Sequence, residues 1–426
     1  MKTSTISNYQ SFKPRKTPGV LSFIARETIL KQLRKLREGQ LVIDDREERY
    51  YFGAVTREFP VAAVIRVNSP EFYSMLAFGG SIGAGESYTL GHWDSDNLTN
   101  VVRIMARNIK LMDDMEQGWA RAFSPFRKLI HWLNRNTLQG SRSNIAAHYD
   151  LGNDFFELFL DPTMMYSCGI FETGNATMEQ ASLVKLKRIC DKLALKKTDH
   201  VIEIGTGWGG FAIYAAKHYG CRVTTTTISK NQYQWAKQRI AEENLQDRIT
   251  LLYEDYRNLQ GQYDKLVSIE MIEAVGHRYY DTFFKKCSQL LKADGMMLIQ
   301  AITIADQRYE QAKRSVDFIQ RYIFPGSCIP SNTAILDSTT RASDLRLFHL
   351  EDFGPHYATT LRLWREKLFA NREAVNQRGY PDSLIRMWDF YLCYCEGGFT
   401  ERAISDVHYI FTKPANRYKP ILPDIS

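Results

Sequence analysis

From residue 146 onward, short apolar runs alternate with amphipathic stretches of helical period. The runs at 201–204, 222–226, 249–252, 265–269 and 296–302 have the length and β-branched content of strands. Between them, 178–193, 211–217, 230–243 and 280–291 repeat apolar residues every three or four positions, which predicts helices. Such alternation builds an α/β domain around a mostly parallel sheet. Residues 305–355 interrupt the pattern after the fifth strand. They fall near the carboxyl ends of the strands, where ligands bind in such folds, and read as a substrate-covering insertion.

The first part of the chain patterns differently. Residues 20–110 predict a small α+β unit, with a helix at 25–37 and strands at 39–43, 48–52 and 62–67. Residues 44–47 read as a hairpin turn. Ser69-Pro70 opens a further helix, with proline at its first position, running through Phe72 to Phe78. Glycines then cluster at Gly79, Gly80, Gly83 and Gly85, and another helix is predicted at 97–111. Nothing catalytic stands out here.

The two patterns are joined by 112–145. After Asp113, Asp114 and Glu116, the stretch 119–142 has no acid but carries Arg121, Arg127, Lys128, Arg135 and Arg142. Trp119, Phe123, Phe126, Leu129, Ile130, Trp132 and Leu133 are interleaved with those bases, and Pro125 divides the stretch into two short helices. It reads either as a basic amphipathic element on an anionic bilayer or as a linker helix packing its aromatics on the next domain. The expected division is a small α+β domain at 1–111, a basic aromatic linker at 112–145 and an α/β domain at 146–426.

Length and charge sharpen this picture. A chain of 426 residues exceeds one ordinary core, which favours two domains. A net charge of +7 suits nucleic acid or an anionic membrane surface equally. No apolar run approaches the roughly 18 residues of a membrane span, and 1–19 is polar and basic without the apolar core of a secretory signal. Seven cysteines without paired spacing argue for reduced thiols in a cytosolic protein. Cys393 and Cys395 are too close for a zinc knuckle, the histidines have no ligand spacing, and no metal is predicted.

The chemistry centres on Val201-Ile202-Glu203-Ile204-Gly205-Thr206-Gly207-Trp208-Gly209-Gly210. A strand carrying an acid breaks into glycines and then a helix, so a cofactor can lie on main-chain N–H groups at the helix start. A plain tight turn would not need so many glycines. Gly205, Gly207 and Gly210 also satisfy the dinucleotide pattern, but the next strand ends in Thr224-Thr225-Thr226-Thr227 without the acid a dinucleotide ribose requires. A nicotinamide oxidoreductase is therefore disfavoured.

His148-Tyr149-Asp150-Leu151-Gly152-Asn153-Asp154 and Tyr166-Ser167-Cys168 precede this loop. Thr227-Ile228-Ser229-Lys230-Asn231-Gln232, Met271-Ile272-Glu273-Ala274-Val275-Gly276 and Tyr322-Ile323-Phe324-Pro325-Gly326 follow it. Together and in this order, over 146–400, these motifs resemble the cyclopropane-fatty-acid synthase family. Residues 20–110 resemble, less fully, the small lipid-associated N-terminal domain of its bacterial phospholipid enzymes.

The resemblance implies a Rossmann-like methyltransferase sheet with a lid insertion, using S-adenosylmethionine on cis double bonds of lipid acyl chains. Tyr166, Ser167, Glu203, Gly205, Gly207, Gly209, Thr227, Ser229, Gln232 and Asp255 would then line the cofactor. Glu203 would sit near its methionine end and Gln232 would reach the ribose. Asp255 would meet the adenine edge or only cap a turn; Thr227 and Ser229 suit a helix cap as well. The partner is an unsaturated membrane phospholipid met at a peripheral surface, with no nucleic acid; a homodimer is compatible.

An alkene takes a sulfonium methyl only where water is excluded and the two are held in line. The cation so formed must lose a proton, and in this family a bound bicarbonate accepts it. By motif, Cys168 and Ile302 would supply backbone contacts to that anion, Glu273 would anchor its proton and Tyr391 would donate its phenol. Many members carry a histidine where this chain has Gln300, which cannot hold a proton near neutral pH. The same cation could then yield a methyl- or methylene-branched chain instead of a ring. Taken without the resemblance, Glu273 reads as a helix N-terminal acid, Tyr391 as a core aromatic and Cys168 as a buried small hydrophobe. Tyr149, Phe155, Phe171, Tyr322 and Phe324 read as walls of an acyl channel or as core.

Overall fold

The structure is a computed structural model that describes residues 19–46, 48–113 and 151–421. The connector bases and aromatics from Glu116 to Arg142, and His148, Tyr149 and Asp150, lie outside the described residues. The chain divides into two compact units.

The first unit takes in Met1–Leu151, Asp317–Pro325 and Leu368–Glu401. Four strands, β1 (Gly39–Asp45), β2 (Glu48–Ala54), β3 (Ala62–Val67) and β4 (Trp93–Ser95), form a sheet in the order β2-β1-β3-β4. β1 and β2 pair as an antiparallel hairpin, with Asp44 and Asp45 still in the strand and Asp45 opposite Glu48. The helix from Ser69-Pro70 is longer than its pattern suggested, spanning Glu71–Thr89 with a break at Gly80 (φ 55°, ψ −135°). Within the glycine cluster, Gly85 has a packing reason. A Cβ on Gly85 would come within 2.3 Å of Phe318, so this face admits close approach only without a side chain. The helices Leu98–Arg107 and Glu71–Thr89 pack against Asp382–Thr400. There Tyr88 donates its phenol to the buried Asp389 at 2.5 Å, and the Arg386 guanidinium lies 4.1 Å from the Tyr88 ring centre.

The second unit takes in Gly152–Val316, Gly326–Lys367 and Arg402–Ser426. Its sheet has seven strands, in the spatial order Arg346–Asp352, Ile404–Thr412, Leu291–Ile304, Tyr263–Ile269, His200–Ile204, Arg222–Thr227 and Ile249–Tyr253. The five predicted strands are β5 (His200–Ile204), β6 (Arg222–Thr227), β7 (Ile249–Tyr253), β8 (Tyr263–Ile269) and β9 (Leu291–Ile304), all parallel. Val201 and Ile202 point into different apolar clusters, as the two-residue period requires. The helices of one cluster bring Leu186, Phe211 and Ile240, and those of the other Phe283, Phe284 and Ile335.

Two strands were not foreseen. β11 (Ile404–Thr412) runs antiparallel between β9 and β10 (Arg346–Asp352). Its buried Asp406 and His408 interrupt the apolar signal that marks a central strand. Part of 305–355 therefore belongs to the framework rather than to an insertion. The helix Asn332–Ala342 packs on Tyr280–Leu290, and β10 closes the sheet edge. β5 has β6 on one side and β8 on the other, so the strand order reverses there. That is where an open α/β sheet leaves a crevice beyond its carboxyl ends.

Candidate active site

The glycine loop begins on β5. Glu203 is 2% exposed and accepts the Thr225 hydroxyl at 2.6 Å, from its register partner on β6. Burial pushes its carboxyl up to about 8. Beyond Ile204 the chain turns through three left-handed glycines, Gly205 (φ 100°), Gly207 (φ 54°) and Gly209 (φ 89°). The N–H groups of Gly205 and Thr206 both donate to the Thr226 carbonyl, at 3.2 and 2.9 Å, which ties the loop to β6. A Cβ on Gly207 would meet nothing within 4 Å. Gly210 then opens the helix Gly210–Tyr219. Trp208 donates its indole N–H to Asn153 at 2.8 Å, so the upstream motif holds the loop in place.

The other expected cofactor residues surround this turn or have work of their own. The Thr227 hydroxyl donates to Gln232 Oε1 at 2.9 Å, and Ser229 caps the helix Lys230–Glu242. The capping half of the sequence reading is therefore present. Asp255 caps the turn Tyr256–Asn258 and pairs with the Arg257 guanidinium at 2.6 Å, which holds its carboxyl below the usual range. Tyr166 lies in an aromatic group with Phe156, Phe159 and Trp364. Ser167 accepts the ammonium of the fully buried Lys185 at 2.7 Å. An open left-handed glycine turn at a helix start, beside a buried acid, fits S-adenosylmethionine: free backbone for its polar groups and a carboxyl for its cationic end.

A second cluster forms beside this, at the ends of β8 and β9. Glu270 follows β8 directly and has a left-handed backbone, φ 46°. Its N–H donates to the Gln300 carbonyl at 2.8 Å. Its Oε1 accepts the Cys168 N–H at 2.8 Å and the Gln300 amide at 2.7 Å; its Oε2 accepts the Tyr357 phenol at 2.5 Å. The Gln300 amide also donates to Asp406 at 2.8 Å, and the Gln300 oxygen faces His408 Nε2 at 3.3 Å. Glu273 Oε1 accepts the Ile302 N–H at 2.5 Å, while its Oε2 is buried without a partner among the described residues. Burial first, and then the neighbouring Glu270, push Glu273 up to about 8. Burial likewise raises Glu270, and raises the fully buried Asp406 well above the carboxylate range with Glu270 adding to it. Burial lowers His408, which is neutral, and raises the Cys168 thiol, so cysteine enters through its backbone alone.

The structure places Cys168, Glu273, Gln300 and Ile302 in one cluster. Tyr391 belongs to the first unit, where its ring meets Trp388 at 5.3 Å and Phe324 at 6.0 Å. The phenol within the cluster is Tyr357, near the start of the helix Pro355–Ala370. Sequence reasoning missed Glu270, Tyr357 and Asp406. An acid directly after the fourth strand was the available signal for Glu270. Phe155 is fully buried on Phe156 and Phe159, and the half-buried Phe171 stacks on His356.

A bicarbonate needs donors for its charged oxygens. The Cys168 N–H, Gln300 amide and Tyr357 phenol are already spent on Glu270, and the Ile302 N–H on Glu273. The residue set does not fit an added anion among three carboxyl groups.

Fold and site together define an S-adenosylmethionine-dependent methyltransferase. Residues 136–410 match the family model for mycolic acid cyclopropane synthetase, and the chain belongs to that family. It is 40% identical over 328 residues to the tuberculostearic acid methyltransferase UfaA1 of Mycobacterium tuberculosis, covering 75% of this chain and 76% of the relative. It is 36% identical over 359 residues to the cyclopropane-fatty-acyl-phospholipid synthase of Escherichia coli, covering 82% and 88%. Among solved structures it is similar to the mycolic acid cyclopropane synthase CmaA1 complexed with SAH and CTAB, at 32% identity and TM-score 0.57, covering 64% and 98%.

Proposed function

We propose that this enzyme transfers the methyl carbon of S-adenosylmethionine to a cis double bond of an unsaturated phospholipid acyl chain and closes a cyclopropane. The observation that carries the reading is the adjacency of two features at the ends of β5 and β8: a cofactor-ready glycine loop and a cluster of carboxyl groups. S-adenosylmethionine supplies an electrophilic methyl when bound. The glycine loop and Glu203 would hold it. The aromatic group of Phe156, Phe159, Tyr166 and Trp364 supplies apolar surface that excludes water. The carboxyl cluster supplies what an alkene substrate needs after methyl transfer, a place for one proton.

A second reading is favoured by Gln300, whose amide is committed to Glu270 and Asp406, and by the methyl-transferring relative at 40% identity. It gives a methyl- or methylene-branched chain with no ring. Both are tested by incubating the protein with labelled S-adenosylmethionine and unsaturated phospholipid vesicles, then analysing the fatty acids by mass spectrometry. A gain of one CH₂ with no remaining double bond is expected for the ring. The same gain with unsaturation retained supports the branched product. No label in lipid leaves a non-catalytic lipid carrier.

The proposal includes a cytoplasmic enzyme held peripherally at the membrane. Among the described residues no helix is long and apolar enough to cross a bilayer. The small N-terminal domain and the basic aromatic linker at 112–145 would make the contact. Neutralising Arg127 and Lys128 is expected to weaken binding to anionic vesicles several-fold in a flotation assay, more at low salt than at high. Unchanged binding would remove the linker from the membrane.

A further inference from the structure

We infer that Glu270 is the base of this reaction and stands where the family resemblance places a captured bicarbonate. The inference rests on the methyl-transfer reading above. Its first support is the donor set. The backbone N–H of Cys168, assigned by resemblance to the anion, points instead at Glu270 Oε1, 2.8 Å away. The Gln300 amide joins it at 2.7 Å, and the Tyr357 phenol serves the other oxygen at 2.5 Å. Three donors converge on one carboxylate, as they would on a small oxyanion.

The backbone is a second, independent support. Glu270 is a non-glycine residue at φ 46°, with its N–H held by the Gln300 carbonyl. A left-handed conformation is unfavourable for glutamate and is retained where the surroundings demand it. Here it delivers the carboxylate from the end of β8 into the donor set. Gln300 then has a role that histidine could not fill. Its single amide nitrogen donates to both Glu270 and Asp406, while its oxygen faces His408. Asp406, deepest in the sheet and repelled by Glu270, keeps its proton. Glu270, with three donors on it, is the ionised member of the pair.

The step balances without any further reagent. Methyl transfer breaks the sulfonium C–S bond, whose pair stays on sulfur, and the alkene π pair forms the new C–C bond. The adjacent carbon is left cationic. A C–H bond of the new methyl then breaks; its proton goes to a Glu270 oxygen and its electron pair closes the ring. Loss of a proton from a neighbouring chain carbon instead leaves a double bond and a branch. The Glu270 proton then passes to water.

The test uses labelled S-adenosylmethionine and vesicles of dioleoyl phosphatidylglycerol and dioleoyl phosphatidylethanolamine, in buffer stripped of carbon dioxide. Wild-type turnover is expected to stay within about twofold on bicarbonate removal and re-addition. Glu270→Gln is expected to lower turnover by about 100-fold or more, with cofactor affinity within about threefold of wild type. Glu270→Gly suits the left-handed backbone; it is expected to be inactive in stripped buffer and to regain at least tenfold when bicarbonate fills the vacated place. Wild-type turnover that collapses without bicarbonate and returns with it would overturn the assignment, as would full activity in Glu270→Gln. Failure of bicarbonate to revive Glu270→Gly removes the claim that the two anions share one place. No labelled lipid from wild type sinks the underlying reading, and is distinct from labelled lipid made only with bicarbonate.

Discussion

Gly205→Val is expected to reduce S-adenosylmethionine binding by at least tenfold and to lower the melting temperature of the free protein. Gly205 sits at φ 100°, which an L side chain rarely adopts. A Cβ there would lie 3.2 Å from Met271 Cγ and 3.4 Å from Met271 Cβ, and valine adds two further methyl groups. Either the turn unwinds or Met271 moves. Unwinding releases the N–H bonds of Gly205 and Thr206 to Thr226 and swings the Gly207 backbone away. Moving Met271 disturbs the segment between Glu270 and Glu273. The backbone strain alone is on the order of 1–3 kcal/mol. Gly174→Ala is the matched control: its Cβ meets nothing within 4 Å and its φ lies outside the left-handed range. Calorimetric titration with the cofactor and a thermal melt of each variant decide the matter. Wild-type affinity in Gly205→Val would mean that the loop does not carry the cofactor.

The same loop shows why much of the fold was legible. Strands β5 to β9 are short apolar or β-branched runs bounded by turn residues, and their helices repeat at helical spacing, so local pattern and global architecture agree. β11 escaped because a central strand that carries a charge network does not look like one. Asp406 and His408 are both fully buried there, and their partners, Gln300 on the neighbouring strand and Lys192 on a helix, are distant in sequence. The glycines at 79–85 were conspicuous, yet for Gly85 the cause lies more than 200 residues away, at Phe318 and Phe390. The carboxyl cluster was half legible for the same reason. Cys168, Glu273, Gln300 and Ile302 sit in motifs that can be read along the chain. Glu270 and Tyr357 become meaningful only when β8 and the helix Pro355–Ala370 bring their side chains together. At Asp255 the sequence offered an adenine contact or a turn cap, and the cap is what the structure displays, with Arg257 two positions away.

Glu273→Gln is expected to lower turnover about tenfold or more while cofactor affinity stays near wild type, and to change how stability depends on pH. The glutamine oxygen still accepts the Ile302 N–H, so the short helix Ile272–Val275 keeps its anchor. The second oxygen, unpartnered in the wild type, becomes an amide donor. Placed near Glu270, a donor in place of a carboxyl lowers that residue's affinity for a proton and weakens it as a base. The stability effect has a definite sign. Glu273 titrates near its ordinary 4.5 in the unfolded chain but near 8 in the folded protein. Between those values the folded state holds a proton that the unfolded state has lost, so wild-type stability falls as pH rises through the window. Glutamine has no proton to lose. Measured without cofactor, the variant is expected to gain on wild type by on the order of 4 kcal/mol between pH 5 and pH 9. Glu203 is raised in the same direction, but it is present in both proteins and cancels in the comparison. Denaturant melts at several pH values give the difference directly. A constant difference across the window would show that Glu273 ionises normally in the fold, and loss of cofactor binding would move it from the proton-handling cluster to the cofactor loop.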